Sequence, residues 1–280
     1  MTDRPKTQRR RHIGQYMASG EWGDYWSTGI SRAQGGKILV RGYPVEELIE
    51  RLSYTESAFL ILRGELPDER ETALFDLVLR SGMDQQFISA AVGAARFTAS
   101  AFPDSVVPAL ASGMLATGSV TGSPQEPAEM LIEAAAWDLD VEQASARAVD
   151  LWLERRAAVP GLGHPLHKEA EPRAVTVRRL AMQRDGWRGH GCLLDAIESE
   201  LEDRKGRHIP INLAGALGAI LADLEFDPLI IGGMGALNYG MALLAHITEE
   251  IREGVPLRII PDELGAHYTG PAERHMGEDS

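Results

Sequence analysis

Apolar side chains recur every three or four residues through most of the chain after Pro44. This period matches one buried face of an α-helix, whereas sustained alternation with a period of two occurs only around residues 37–41. The strand–helix–strand alternation of a dinucleotide-binding fold is missing. The pattern therefore predicts an all-α fold with one small hairpin next to Gly35 and Gly36.

Helix start and stop signals divide this pattern into segments. Asp68 and Glu71 match a capping box, and Asp140 can cap the helix that follows it. Thr55 is expected to cap a segment that Gly64 ends. Further helices are predicted to start after Ser123 and to occupy residues 173–183, 193–202, 215–224 and 235–251. Two breaks, at residues 138–140 and 223–228, suggest an internal division.

Composition and charge narrow the class of protein. The 280 residues are 44% hydrophobic and 25% charged, which is ordinary for a globular protein, and the net charge of −13 disfavours nucleic-acid binding. Residues 1–15 lack the apolar stretch of a secretory signal, and no run of 18 apolar residues occurs, so we expect a cytoplasmic protein without a membrane span. The single cysteine, Cys192, is expected to be a buried filler.

Candidate chemistry is concentrated in residues 158–168 (AVPGLGHPLHK). Two glycines and two prolines exclude an ordinary helix and let the backbone approach a ligand closely. His164 is displayed at the end of this turn, and Lys168 and Arg173 offer charges for a phosphate or carboxylate. His164 and His167 lack further ligands at zinc spacing, so no metal site is predicted. Spacing alone leaves open a connecting turn with an incidental histidine.

The same segment resembles a motif of the citrate synthase family. Residues 159–164 (VPGLGH), Lys168 and residues 171–173 (EPR) are similar to its G-x-G-H…D-P-R segment. The short length resembles the citryl-CoA lyase branch, as in the module of ATP-citrate lyase. Four more stretches resemble family motifs in the right order, namely residues 36–44 (GKILVRGYP), residues 60–67 (LILRGELP), Ala245-His246 with Glu249, and residues 268–270 (YTG).

The resemblance implies a citrate synthase-like architecture and a homodimer. A large helical domain and a smaller helical domain would form a cleft that closes over the active site. The smaller domain would lie between the two breaks in the helical pattern. The implied bounds are residues 1–27 for an N-terminal tail, residues 28–139 and 229–280 for the large domain, and residues 140–228 for the small domain.

The resemblance also implies roles for individual residues. His164 would be the catalytic residue that hydrogen-bonds the reacting carbonyl or hydroxyl, and Arg173 would hold a substrate carboxylate. Gln85 and Asn238 fall where the family places a histidine and an arginine, and they would also contact substrate. The coenzyme A thioester would be held by Ala158, Val159, Gly161, Gly163, Pro165, Lys168 and Asn212.

Two departures from the family pattern concern catalysis. The family's catalytic aspartate falls on Ala214, which can neither take nor give a proton. The histidine of the synthase's His-Gly-Gly-Ala motif is missing from residues 120–123 (VTGS), as it is in citryl-CoA lyase modules. A water held by His164 could replace the missing acid–base, and the candidate side chains are His167, Glu171, His190 and His246.

As a whole, the resemblance implies a carbon–carbon lyase. It would cleave citryl-CoA or a related hydroxyacyl-CoA into an acyl-CoA such as acetyl-CoA and a small keto acid such as oxaloacetate, without a permanently bound cofactor. Two alternatives stay open. One is a synthase-type acyltransferase that condenses acetyl-CoA with a keto acid. The other is a non-catalytic family member that binds CoA or a partner protein, which Ala214 would favour.

Overall fold

The computed structural model describes residues 11–84, 86–118, 122–156, 158–265 and 267–275. This part of the chain contains twelve α-helices and one three-stranded sheet, which confirms the predicted all-α fold class. It divides into two compact units, with the boundary between Thr72 and Ala73. The division into large and small domains that the resemblance implies stays a prediction.

The first unit combines short helices with the sheet. β1 and β2 pair antiparallel with Gln34 opposite Lys37, and Gly35 and Gly36 between them both have positive φ, as a two-residue hairpin favours. The predicted hairpin is confirmed. The third strand was not predicted because two residues are too short to show a period. The elements are α1 (Ile13–Ser19), β1 (Ser31–Gln34), β2 (Lys37–Val40), β3 (Tyr43–Pro44), α2 (Val45–Arg51) and α3 (Tyr54–Arg63).

Ser53, not Thr55, caps α3. The Ser53 hydroxyl accepts from the Glu56 amide over 3.2 Å, and the Glu56 carboxylate accepts from the Ser53 amide over 2.8 Å. Glu56 stands three residues after Ser53 and so completes a capping box there, which is why the Thr55 prediction was wrong. Gly64 ends α3 in the left-handed conformation, as predicted.

The remaining helices follow in sequence, and α4 includes the boundary between the units. The caps at Asp68 and Asp140 form as predicted. Cys192 is exposed, so its prediction as a buried filler was wrong: its neighbours Gly191 and Leu193 face inward on the same helix. The helices are α4 (Glu69–Ser81), α5 (Ala90–Ala101), α6 (Val107–Leu115), α7 (Gln125–Ala135), α8 (Val141–Arg155), α9 (Pro172–Met182), α10 (Gly189–Lys205), α11 (Leu213–Asp223) and α12 (Pro228–Glu253).

The core of the second unit has two parts. α11 is buried along nearly its whole length and packs against α7, α9 and α10. α5, α6 and α12 pack around Val92, Ala95, Tyr239 and Leu243. This packing brings the first residues of α9 and α11 close to the turn that contains His164.

Candidate functional site

The proline- and glycine-rich turn joins α8 to α9 and is held against the segment that enters α11. The Gly163 amide donates to the Pro210 carbonyl over 2.7 Å, and the Asn212 amide donates to the Gly161 carbonyl over 2.9 Å. Gly161 and Gly163 have φ of +84° and +78°, a region that side chains rarely adopt. The turn therefore needs glycine at both positions to keep this path.

Gly161 also packs directly on Gly215 in the first turn of α11. A Cβ added at Gly161 would lie 2.8 Å from the Gly215 Cα, and one added at Gly215 would lie 2.9 Å from the Gly161 Cα. Neither position has room for a side chain. The two glycines thus let the His164 turn lie in contact with the helix that carries Ala214.

Asn212 fixes this junction with both ends of its amide. Its Oδ1 accepts from the Gly215 amide over 3.0 Å and caps α11, and its Nδ2 donates to the Gly163 carbonyl over 2.8 Å. The side chain therefore positions the turn. A role for Asn212 in binding coenzyme A stays a prediction.

The protonation state of His164 is set by its own turn. Its Nδ1 accepts hydrogen bonds from the backbone amides of Leu166 and His167, each over 3.1 Å. An imidazole nitrogen that accepts has no proton, so in the neutral ring the proton is on Nε2. Burial lowers the pKa of His164 below its ordinary value, although the Glu171 carboxylate opposes this. The ring is therefore a neutral Nε2–H donor.

Glu171 and Arg173 form the charged pair of the site. The Arg173 Nε donates to Glu171 Oε1 over 2.7 Å, and Glu171 Oε2 accepts from the Leu213 amide. Glu171 is only 1% exposed, whereas the Arg173 side chain is one-third exposed. Because Nε is engaged, the guanidinium orientation is fixed while its two terminal nitrogens remain for a ligand.

These residues surround a cavity of about 380 Å³. His164 lies at it, so the displayed imidazole predicted from the sequence faces open space rather than dry packing. The polar lining includes Ser89, His164, Glu171, Arg173, Asn212, Asn238 and Tyr239. The apolar lining includes Val78, Leu213, Ala214, Leu217, Leu221 and Met234.

The structure brings together only some of the predicted site residues. Gln85 lies outside the described residues. The Lys168 Nζ donates to the His164 carbonyl over 3.0 Å. Val159 is buried, with 3% of its surface exposed. Gly163, His164, Pro165, Arg173, Asn212 and Asn238 line the cavity, whereas Ala158, Val159, Gly161 and Lys168 are not among the lining residues described. Their assignments to substrate or coenzyme stay predictions.

The candidates for the missing acid–base separate clearly by position. Glu171 lines the cavity beside Ala214. His190 Nδ1 lies 2.8 Å from Asp223 Oδ1, and His246 Nε2 lies 3.4 Å from Asp84 Oδ1, away from the cavity lining. The His167 ring packs on His164, with 4.6 Å between ring centroids. Of the candidate side chains, Glu171 is the one placed among the described lining residues.

Tyr239 belongs to the cavity but was not predicted. It is 7% exposed, and burial raises its pKa, while the nearby charge of Arg173 opposes that rise. A phenol in this position can donate a hydrogen bond to a bound oxygen. The sequence signal that could have identified Tyr239 is its position directly after Asn238, which was predicted to contact substrate.

Comparison with known proteins extends over most of the chain. The sequence model described as citrate synthase, C-terminal domain, matches residues 24–92 and 68–260. The chain is 24% identical over 250 residues to citrate synthase of Deinococcus radiodurans, covering 88% of this chain and 62% of that protein. It is 47% identical over 51 residues to 2-methylcitrate synthase of Mycobacterium tuberculosis, covering 18% and 13%. The chain thus spans less than two thirds of the length of these curated relatives.

Solved structures agree with this match. The citryl-CoA lyase of Hydrogenobacter thermophilus superposes with a TM-score of 0.83 at 29% identity, covering 90% of this chain and 97% of that one. The citrate synthase of Thermotoga maritima shares the fold with a TM-score of 0.55 at 17% identity, covering 90% and 95%. The resemblance found in the sequence is therefore confirmed, and the chain belongs to the citrate synthase family.

Proposed function

We propose that this chain is a carbon–carbon lyase that cleaves citryl-CoA or a related hydroxyacyl-CoA. The observation that carries the proposal is the neutral Nε2–H donor of His164 at a cavity that also contains Arg173. Coenzyme A thioester is a substrate in this proposal and not a permanently bound cofactor. The structural similarity to citryl-CoA lyase supports the lyase direction.

The proposed roles of His164 and Arg173 follow from where negative charge lies during cleavage of the hydroxyacyl-CoA. A base removes the hydroxyl proton of the hydroxyacyl-CoA, the bond between the carbinol carbon and the α-carbon breaks, and a keto acid forms. The electron pair of that bond passes to the thioester as an enolate. His164 donates from Nε2 to the enolate oxygen, and a single such donor changes the rate by about 10²–10³-fold. Arg173 holds the carboxylate of the keto acid.

Glu171 is the proton carrier in this scheme. Each of its oxygens accepts one hydrogen bond, from Arg173 or from Leu213, and a carboxylate offers about four acceptor sites. Capacity therefore remains for the substrate proton. Glu171 takes the hydroxyl proton and then returns it to the enolate carbon, so the acyl-CoA leaves complete and the carboxylate is regenerated.

The test is cleavage of citryl-CoA by the purified chain. Release of oxaloacetate is followed by its reduction with an added dehydrogenase. We expect release by the native chain and a loss of about 10²–10³-fold in kcat for His164→Ala. His208→Ala is the matched control, because this imidazole pairs with Glu202 outside the cavity lining and its loss should leave kcat unchanged. Equal rates for His164→Ala and the native chain would refute the role of His164.

One observation favours a non-catalytic function instead. Ala214 places a methyl group in the cavity lining where the family resemblance implies a carboxylate. Under that alternative, calorimetry would detect CoA binding while no thioester is cleaved or formed. A synthase-type acyltransferase would be recognised by the formation of citrate and free CoA from acetyl-CoA, oxaloacetate and water, because the lyase reaction run backwards stops at citryl-CoA.

α12 has a long apolar face, and we propose that it contacts a second copy of the chain. By length and composition α12 could also cross a membrane, and 28% of its most apolar stretch is buried. Leu237, Met241 and Leu244 are exposed and follow each other at helical spacing on the side opposite Tyr239 and Leu243. A cytoplasmic location, and the absence of nucleic-acid and membrane partners, stay predictions.

Light scattering tests this contact. We expect a dimer for the native chain and a monomer for Met241→Glu, because an introduced carboxylate in an apolar contact loses its hydration. Asp203→Glu is the control for handling, since it keeps the charge of an exposed residue on α10. A native chain that is monomeric at all concentrations, or that requires detergent to stay in solution, would contradict the dimer.

A further inference from the structure

The cavity holds an unusual balance of charge. Among its described lining residues the charged groups are Glu171 and Arg173, and they are bonded to each other. The Arg173 Nε is engaged, while no partner of its two terminal nitrogens is found in the described part of the chain. One guanidinium fork can hold one carboxylate in a bidentate way. A second carboxylate would find no further cation among the described lining residues of this chain.

The positions around this pair are neutral. Asn238 lies against Gly82, where an added Cβ would be 3.0 Å from the Asn238 Nδ2, so the amide occupies that side of the cavity. Gln85 and residues 119–121 (SVT), which lie outside the described residues, carry no charged side chain in the sequence. An amide can satisfy a carbonyl or hydroxyl, but it does not neutralise a carboxylate.

The apolar part of the lining is buried. Val78, Leu221 and Met234 are between 0% and 3% exposed, and they come from α4, α11 and α12. Leu217 lies one turn before Leu221 on α11, and the methyl of Ala214 precedes both. A surface of this kind favours an alkyl group over a hydrated anion.

From this distribution we infer the substrate class of the site. The keto acid released in the proposed reaction is a 2-oxo monocarboxylic acid with a branched or unbranched alkyl side chain, in preference to a dicarboxylic acid. Its carboxylate binds the terminal nitrogens of Arg173, its oxo oxygen lies within the polar group of Asn238 and Tyr239, and its alkyl chain packs on the apolar lining. This inference rests on the proposed lyase function.

The size of the preference for an alkyl over a dicarboxylic keto acid follows from the cost of burying an unpaired carboxylate. A dicarboxylic product would bury a carboxylate without a cation, whereas the alkyl product leaves no charge unpaired. Sites that leave a buried polar group unpaired discriminate by much more than a missing methylene does. We expect kcat/KM to favour the alkyl substrate by about 100-fold or more.

Two thioesters of matched shape test the inference. One is citryl-CoA, which releases oxaloacetate. In the other, an isopropyl group replaces the citryl carboxylate that ends as the distal carboxylate of oxaloacetate. This second thioester releases 4-methyl-2-oxopentanoate. Cleavage of both is measured with the native chain, together with calorimetric binding of the two free 2-oxo acids in the presence of CoA. Faster cleavage and tighter binding of the alkyl compounds are expected.

A variant adds a charge-specific control. Asn238→Arg supplies the second cation and should raise kcat/KM for citryl-CoA while lowering it for the alkyl thioester. Asn238→Met, which is of comparable length but neutral, should not improve citryl-CoA cleavage. If the length of the side chain at position 238 were what matters, Asn238→Arg and Asn238→Met would change citryl-CoA cleavage in the same way.

The outcomes separate this inference from the proposed function. If citryl-CoA is cleaved as well as or better than the alkyl thioester, the lyase function stands and the substrate class is overturned. If neither is cleaved, the lyase function fails, and binding alone decides the substrate class. In that case, oxaloacetate bound as tightly as 4-methyl-2-oxopentanoate, or no binding of either acid, overturns the inference.

Discussion

The carboxylate of Glu171 accepts a hydrogen bond from the backbone amide of Leu213, the residue directly before Ala214. A buried acid from the start of α9 is thereby held at the first turn of α11. The family resemblance implies an acidic side chain at position 214 of that turn. A carboxylate from a different element thus lies beside the position at which the resemblance implies one.

This placement predicts a large effect for Glu171→Gln. The amide keeps the size of the side chain but cannot accept a proton, so kcat should fall by about 10²–10⁴-fold. Glu171→Asp should recover part of the activity, because it restores the carboxylate at a shorter reach. The measurement is citryl-CoA or alkyl-thioester cleavage, with far-UV circular dichroism to confirm the fold.

Glu169→Gln is the matched control for Glu171→Gln. Glu169 is exposed and two residues earlier in the same segment, so its loss should leave kcat unchanged. A Glu171→Gln variant that folds and cleaves at the native rate would remove Glu171 from the reaction. In that case a water held by His164 becomes the proton carrier.

A second prediction concerns the pH dependence of cleavage. Burial lowers the pKa of His164, so the ring stays neutral as pH falls through the ordinary imidazole value of about 6.5. kcat/KM should therefore hold through that range and decline only at lower pH. The measurement is a pH–rate profile, with titration of the labelled His164 imidazole by NMR in parallel.

The lowered pKa of His164 predicts a different pH dependence from that of a ring that protonates at its ordinary value. If kcat/KM falls with an apparent pKa at or above the ordinary imidazole value, and the NMR titration of His164 follows it, then the ring is not held neutral. The same profile for His208→Ala should match the native one. The hydrogen bond to Glu202 raises the pKa of His208, which lies outside the cavity lining, and burial opposes that rise.

Local signals predicted most of the fold, because they act within a few residues. The Asp68–Glu71 box, the Gly64 stop and the Gly35–Gly36 hairpin were all readable from the sequence. At the start of α3 both Ser53 and Thr55 could have been the N-cap. Ser53 is the cap because Glu56, three residues later, completes its capping box. Local pattern also explains Cys192, since its exposure follows from the helical period of its buried neighbours.

The site was predictable only where the family motif reached. His164 and Arg173 were found because they lie in one short segment, and the structure places both at the cavity. Tyr239 and Met234 come from α12, far along the chain, and no local spacing connects them to His164. The contact of Gly161 with Gly215 is likewise a long-range packing relationship that a single sequence does not display.

That glycine contact gives a third prediction. Gly215→Ala should lower the free energy of unfolding by about 1–3 kcal/mol, because the new Cβ overlaps the backbone of Gly161 and forces a shift. The displaced turn contains His164, so cleavage should fall as well. Chemical denaturation and the cleavage assay measure the two effects.

Gly93→Ala is the control for Gly215→Ala. A Cβ at Gly93 meets nothing within 4 Å, and the residue lies inside α5, where alanine is favoured over glycine by about 1 kcal/mol. This variant should be as stable as the native chain or more so. If both glycine variants behave alike, the contact of Gly161 with Gly215 is not what fixes the turn.

The last prediction concerns stability in acid. Glu250 on α12 is 2% exposed, and its carboxylate pairs with Arg96 Nε over 2.7 Å and with Arg258. Burial raises the pKa of Glu250, but the two arginines outweigh burial and hold that pKa below its ordinary value. Its contribution to stability is therefore complete above the ordinary carboxyl pKa, and it is lost as pH falls through the lower pKa of the folded state.

Replacing this carboxylate should remove both the stability and its pH dependence. We expect Glu250→Gln to lower the free energy of unfolding by about 3 kcal/mol at pH 7, because two arginines lose their buried partner. The exposed neighbour Glu249 also contacts Arg96, and Glu249→Gln should cost at most about 1 kcal/mol. Urea denaturation at pH 7 and at acidic pH measures both. Because the native chain alone has this carboxylate to protonate, it should lose more stability in acid than Glu250→Gln does; equal losses would show that the pair with Arg96 and Arg258 does not set the acid sensitivity of the fold.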